Sequence, residues 1–183
     1  MKQRRIIKRR SRFFLGCEGE SEQAYGVHLN RLAEDMGLHV HIQPFNLRPA
    51  GDPLALAQKA VKIFGREARN GGFAGKAILI DADRFNEPPG RGLVAQNLLT
   101  DEGFTTIWQR PDHEGLLLRH FAGYETHDPP RGASLSALRA VWPIYRKNMA
   151  AADLKVKLTL DNVRQATSAI PELRTFLTMI GLI

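Results

Sequence analysis

Three carboxylates stand where two apolar runs end: Glu18 follows Phe13-Phe14-Leu15-Gly16-Cys17, and Asp81-Ala82-Asp83 follows Ala77-Ile78-Leu79-Ile80. Apolar runs bounded by glycine and charged residues read as strands of a parallel sheet buried on both faces, where an ionised side chain is tolerated only at the rim. In open α/β sheets, ligands bind beyond the carboxyl ends of the strands. Glu18, Asp81 and Asp83 are therefore expected to meet at that rim and to hold a metal ion. A hard cation such as Mg²⁺, with Mn²⁺ as a substitute, takes oxygen ligands, needs only one or two protein carboxylates and keeps water elsewhere. Residues i and i+2 of a strand point the same way, so Asp81 and Asp83 can lean toward one ion while Ala82 faces the core. Glu18, from a neighbouring strand, would add a third oxygen or serve as acid or base. An Asp-x-Asp alone is a weak signal, because acids commonly end strands; the strand-terminal Glu-Gly strengthens it.

The intervening chain supplies the elements that must position these acids. Ser21 can cap a helix with Tyr25, Leu29, Leu32 and Met36 on one face, ended by Gly37. Leu38 to Phe45 alternates with period two, placing Leu38, Val40 and Ile42 on one side and His39 and His41 on the other. The two histidines lack a third ligand nearby and read as solvated or partly packed residues. Asp52-Pro53 is a helix start, continued by Leu54, Ala57, Val61 and Phe64. A strand at Lys76 to Ile80 follows, then a loop from Arg84 to Gly92, a helix near Leu93 to Glu102 and a strand at Phe104 to Trp108. This β-α-β-α-β-α-β alternation predicts an α/β fold, a Rossmann-like parallel sheet with helices on both faces and right-handed crossovers. From His113 onward the pattern is helical, with a helix expected over 163–170 after a cap at Asp161 and a last one beginning at Pro171.

The formal charge of +7 is localised: seven basic residues and no acid lie within the first twelve positions, and beyond them 19 basic and 19 acidic residues balance. A basic arm on a neutral body suits a polyanionic partner, with nucleic acid, DNA or RNA, ahead of a membrane surface because the arm has no apolar face. A solubilising tail is the bland alternative. No stretch has the length of a transmembrane helix, and the single cysteine, Cys17, suits a reducing cytoplasm. The chain thus divides into a flexible basic arm over 1–12, a catalytic core over 13–125 and a helical extension over 126–183 packed on that core.

The segment Phe14-Leu15-Gly16-Cys17-Glu18-Gly19-Glu20-Ser21-Glu22 with Ala24-Tyr25, and Ile80-Asp81-Ala82-Asp83 downstream, resembles the TOPRIM domain, and more particularly the RloB family of TOPRIM proteins. The resemblance implies a central parallel sheet, Glu18 as the acid/base residue and Asp81 and Asp83 as Mg²⁺ ligands. A third RloB-like element is matched by Glu114-Gly115-Leu116-Leu117-Leu118-Arg119-His120-Phe121, which would bring Glu114 to the acidic site. Aromatic residues usually flank that glutamate, whereas here His113 and Gly115 do. The likeness runs from about residue 12 to residue 121, with a weaker echo at Pro143 to Asn148 that makes Lys147 a candidate functional base. It also implies a place in anti-phage defence, beside a partner protein of such a system.

The chemistry expected is metal-dependent phosphodiester hydrolysis with water as nucleophile. Arg84, Arg119 and His120 are candidates for contacting the scissile phosphate, or else for neutralising the acids. Tyr25, Tyr124 and Tyr145 read as packing or edge residues. A phosphatase with an aspartyl nucleophile at Asp81 puts its motif on the first strand and needs an acidic pair downstream, and no convincing Asp-Asp pair follows Asp83. A non-catalytic receiver-like or nucleic-acid-binding module that recruits a partner stays open, as does a homodimer through the apolar C-terminal helices.

Overall fold

A computed structural model describes residues 9–183. Lys2, Arg4, Arg5 and Lys8 of the basic arm lie outside the described residues. The arm ends earlier than expected, because Ser11 and Arg12 already belong to the first strand. Arg12 donates to the Gly71 carbonyl and to Gln43 and stacks on the Phe73 ring, while Arg10 pairs with Glu34 at 2.7 Å.

Four parallel strands, β1 (Ser11–Cys17), β2 (Val40–Asn46), β3 (Gly75–Asp81) and β4 (Thr105–Gln109), form one sheet in the order β2-β1-β3-β4. The crossovers are α1 (Glu20–Asp35), α2 (Pro53–Ala68) and α3 (Arg91–Asp101). Five shorter helices follow: α4 (His113–Leu118), α5 (Ser134–Val141), α6 (Ala151–Leu154), α7 (Leu160–Ala166) and α8 (Pro171–Ile180). The expected α/β, Rossmann-like architecture is present. Strand alternation divides the core: Phe13, Leu15, Cys17, Ala77, Leu79 and Ile107 pack under α1 and the C-terminal helices. Phe14, Ile78 and Ile80 pack under α2 and α3 on the other face. Among the described residues no helix is long and apolar enough to cross a membrane.

Local chemistry sets the helix ends that differ from the expected ones. Gly19, not Ser21, caps α1, and the Glu22 carboxylate accepts from its N–H at 3.0 Å. Met36 leaves the buried stripe because it caps the carboxyl end of α1 and is 42% exposed. Thr159, bonded reciprocally to Asn162, starts α7, so the helix begins before Asp161 and ends before Ile170. The Asp52-Pro53 start holds as read, with the Asp52 side chain accepting from the Leu54 and Ala55 N–H groups.

Candidate active site

β1 and β3 are neighbours, paired from Phe13 with Gly75 to Cys17 with Leu79, so their carboxyl ends deliver Glu18 and Asp81 to the same rim. There a Glu18 carboxylate oxygen accepts from the Asp81 backbone N–H at 3.2 Å. Asp81 is the last residue of β3. Beyond it the chain leaves strand geometry, with the Ala82 N–H donating to the Gln109 carbonyl and the Asp83 N–H to the Pro111 carbonyl, each at 2.8 Å.

That departure removes the strand alternation on which the expected pairing of Asp81 and Asp83 rests. The i, i+2 rule holds only within a strand. The Asp83 carboxylate faces Arg131 at 3.5 Å, and the same guanidinium grips Glu87. Among the described residues, no three His, Cys, Asp or Glu side chains stand in a cluster ready to hold a metal. Glu18 is turned to an amide and Asp83 to a guanidinium.

The acids are crowded nonetheless. One oxygen of Asp81, Oδ1, is buried with no hydrogen-bond partner. Burial first, then Glu18, Glu22, Asp112 and Asp83, pushes the Asp81 carboxyl up to about 9. Burial likewise raises Glu18 above the usual carboxylate range, with Glu22 and Asp83 adding to the rise and the Asp81 N–H opposing it. Such a rim accepts a proton or a cation, and its all-oxygen donor set fits a hard divalent ion.

Asp81 is shared by two hollows. A narrow crevice is lined by Glu18, Asp52, Pro53, Leu56, Ile80, Asp81 and Arg84, which leaves the exposed Arg84 beside the acids as expected. A cavity of about 80 Å³ is lined by Asp81 with Glu20, Glu22, Glu114, His113, Arg48 and Lys147 among others. The third glutamate thus arrives: Glu114, in the first turn of α4, is 4% exposed, accepts from the Tyr145 hydroxyl at 3.2 Å and pairs with Lys147 at 3.4 Å. The His113-Glu114-Gly115 sequence has a packing cause, since any side chain at 115 would clash with the Arg110 carbonyl oxygen. Lys147 is placed by its neighbour Asn148, whose N–H donates to the Ser21 hydroxyl at 3.1 Å, tying this loop to the first turn of α1.

Arg119 and His120 do not join the acids. Arg119 pairs with Asp128 at 3.2 Å and lines a separate cavity of about 480 Å³ with Trp108 and Arg110. His120 is fully buried behind the rim. Its Nδ1 bonds the Leu116 carbonyl at 3.0 Å, so Nε2 is left to accept from the Tyr25 hydroxyl at 2.9 Å. Burial lowers its pKa to about 4, so it stays neutral and out of reach of a phosphate.

Sequence reasoning missed Glu22, His113, Arg48, Arg131 and the Tyr145 hydroxyl. His113 is 3% exposed, bonded through Nδ1 to Gln109 at 2.6 Å, and its Nε2 has no partner at the cavity wall. Glu22 carried a visible signal, being one more acid in the run after β1; Arg131 carried none, because a loop residue's partner depends on how the C-terminal helices dock. The chain matches no protein-family model, no curated protein and no solved structure.

Proposed function

We propose that this protein is a divalent-metal-dependent phosphodiesterase that hydrolyses nucleic acid. The observation that carries the reading is the buried, partnerless Asp81 oxygen at the carboxyl ends of adjacent parallel strands, with Glu18, Glu22, Asp83, Asp112 and Glu114 around it. Leaving an uncompensated carboxylate in a buried setting costs a protein kcal/mol quantities, and that cost is expected where a cation binds.

Asp81 and Glu18 would hold Mg²⁺ or Mn²⁺, with Asp83 joining once it lets go of Arg131. The ion would supply charge stabilisation for phosphoryl oxygens and a more acidic bound water. Glu18 is suited to exchange a proton with the attacking water or the leaving oxygen, since its carboxyl is already held above its ordinary range. Glu114, held by Tyr145 and Lys147, adds a further carboxylate to the lining of that cavity. Lys147, Arg48 and Arg84 stand at the edges of the two hollows and can meet phosphate oxygens. The resemblance to TOPRIM domains implies Glu18 as the acid/base residue and Asp81 and Asp83 as the metal ligands, and the RloB likeness adds a place in anti-phage defence.

The test is incubation of single-stranded and duplex DNA and RNA with Mg²⁺ or Mn²⁺, then with chelator, for wild type and Asp81→Ala. Cutting that needs the metal and is lost in Asp81→Ala is expected. The commitment of Asp83 to Arg131 favours a second reading, a nucleic-acid-binding module that recruits a partner. Binding without cutting under every metal condition would select it.

A further inference from the structure

The outer face of α2 carries charge that the rim does not use. Lys59, Lys62, Arg66 and Arg69 recur at spacings of three, four and three, which puts them within an arc of roughly 80° at 100° per residue. They line a groove of about 850 Å³ whose wall is completed by Pro49, Val61 and Ile63. Lys59 is half-buried and donates to the Arg48 carbonyl, but Lys62, Arg66 and Arg69 are exposed. Among the described residues Lys62 and Arg69 have no ion-pair partner, and Arg66 has only its neighbour Glu67 at 2.9 Å. Basic side chains on one face normally diverge into solvent, and their stability value there is small. What distinguishes this face is its neighbour: the groove includes Pro49 and Lys59, Lys59 donates to the Arg48 carbonyl, and Arg48 lines the cavity that holds Asp81.

We infer that the Lys62, Arg66 and Arg69 face of α2 is the track on which a nucleic-acid backbone lies, its phosphates leading to the acidic rim. This rests on the hydrolase reading of that rim. Charge complementarity selects the occupant. Lys62 and Arg69 are separated by about 10 Å of helix, the axial length of about three phosphates on one strand. Along the axis Lys62 is about 14 Å from the start of α2 at Pro53, so a strand gripped by the three cations and led past Arg48 has its next few nucleotides at the cavity that holds Asp81. The contacts are to backbone, so the track positions a polynucleotide without reading its sequence.

The experiment measures binding of fluorescent single-stranded and duplex oligonucleotides in chelator across a salt series. It compares wild type, the triple variant Lys62→Ala/Arg66→Ala/Arg69→Ala, and a control, Lys155→Ala/Lys157→Ala/Arg164→Ala, that removes the same charge elsewhere on the exposed surface. The α2 variant is expected to flatten the slope of log K against log salt by about 2–3, at roughly 0.7–0.9 per lost phosphate contact, and the control to leave it unchanged. Equal slopes for wild type and the α2 variant overturn the inference, as does a slope that vanishes only when residues 1–8 are removed. Equal losses in both triple variants overturn it too, since they would report net charge. Binding that moves to anionic vesicles in place of oligonucleotides does the same. If the α2 variant loses binding while wild type binds but cuts nothing with any metal, the track stands and the hydrolase reading fails.

Discussion

Two buried polar regions lie back to back against Tyr25, and they are built on opposite principles. Behind the tyrosine, His120 has both ring nitrogens bonded, one to Leu116 and one to the Tyr25 hydroxyl. In front, the ring of His113 lies 5.9 Å from that of Tyr25, and its Nε2, the Asp81 Oδ1 and the Gln109 Oε1 are all buried without partners. Folded proteins satisfy nearly all their buried polar groups. The other buried orphans among the described residues are ring nitrogens, an amide oxygen and a hydroxyl, His28 Nδ1 on the His120 side included; Asp81 Oδ1, at the carboxyl end of β3, is the one orphan that belongs to a carboxylate.

The sharpest way to break this contrast is at Asp81. Asp81→Asn keeps the shape and removes the group that can ionise for a cation, so it should lower metal-dependent cutting by at least about 10²-fold, beyond the 10–100-fold typical of groups one shell further out. The same change should raise stability without metal at neutral pH by about 1–3 kcal/mol, because the native chain must keep a proton on Asp81 that the unfolded chain releases. A chemical-denaturation curve in chelator beside a cleavage assay checks both. A destabilised Asp81→Asn would mean that the carboxylate is part of the scaffold.

His120→Phe should show the reverse pattern. It strands the Tyr25 hydroxyl and the Leu116 carbonyl, costing about 2–4 kcal/mol, while cutting per folded molecule is unchanged. The two regions also differ in sign with pH. His120 is lowered to about 4 by burial, so between its ordinary pKa and that value the unfolded chain binds a proton that the native chain refuses. Stability is therefore lost as pH falls from about 6.5 toward 4, by up to about 3 kcal/mol, and His120→Phe should flatten that limb. Asp81 is raised to about 9, so the native chain holds the extra proton and stability falls as pH rises from about 4 toward 9. Asp81→Asn should flatten this second limb. Denaturant midpoints measured from pH 5 to pH 9 decide both.

How much of this was readable beforehand follows the same division. The sheet, its crossovers and the rim position of Glu18 and Asp81 were legible because strand patterning and the Asp52-Pro53 cap are local. The rule that puts Asp83 beside Asp81 is local too, and it lapses where the strand ends at Asp81; two residues on, Arg131 from a distant loop pairs with the Asp83 carboxylate. Glu114 and Lys147 rested on resemblance, and the structure brings them together at 3.4 Å. Arg119 and His120, five and six residues beyond Glu114, were assigned to phosphate because they share its segment. Both lie beyond the end of α4, where the chain turns away: Arg119 goes to Asp128 and His120 is buried against Tyr25.

Tyr145 marks the boundary between the two regions and carries the smallest effect. It is 3% exposed, packs against Trp142 with ring centroids 5.3 Å apart, and yet spends its hydroxyl on Glu114. A packing residue would lose little on becoming phenylalanine. If the hydroxyl orients Glu114 instead, Tyr145→Phe should cost about 1 kcal/mol of stability, the worth of one hydrogen bond to a charged group less the gain from burying an unsubstituted ring. It should also lower cutting several-fold without moving oligonucleotide affinity, because the backbone of Glu114 is held by α4 and only its carboxylate is set free. An unchanged rate at saturating oligonucleotide would return Tyr145 to the scaffold and leave Lys147 as the sole partner of Glu114 among the described residues.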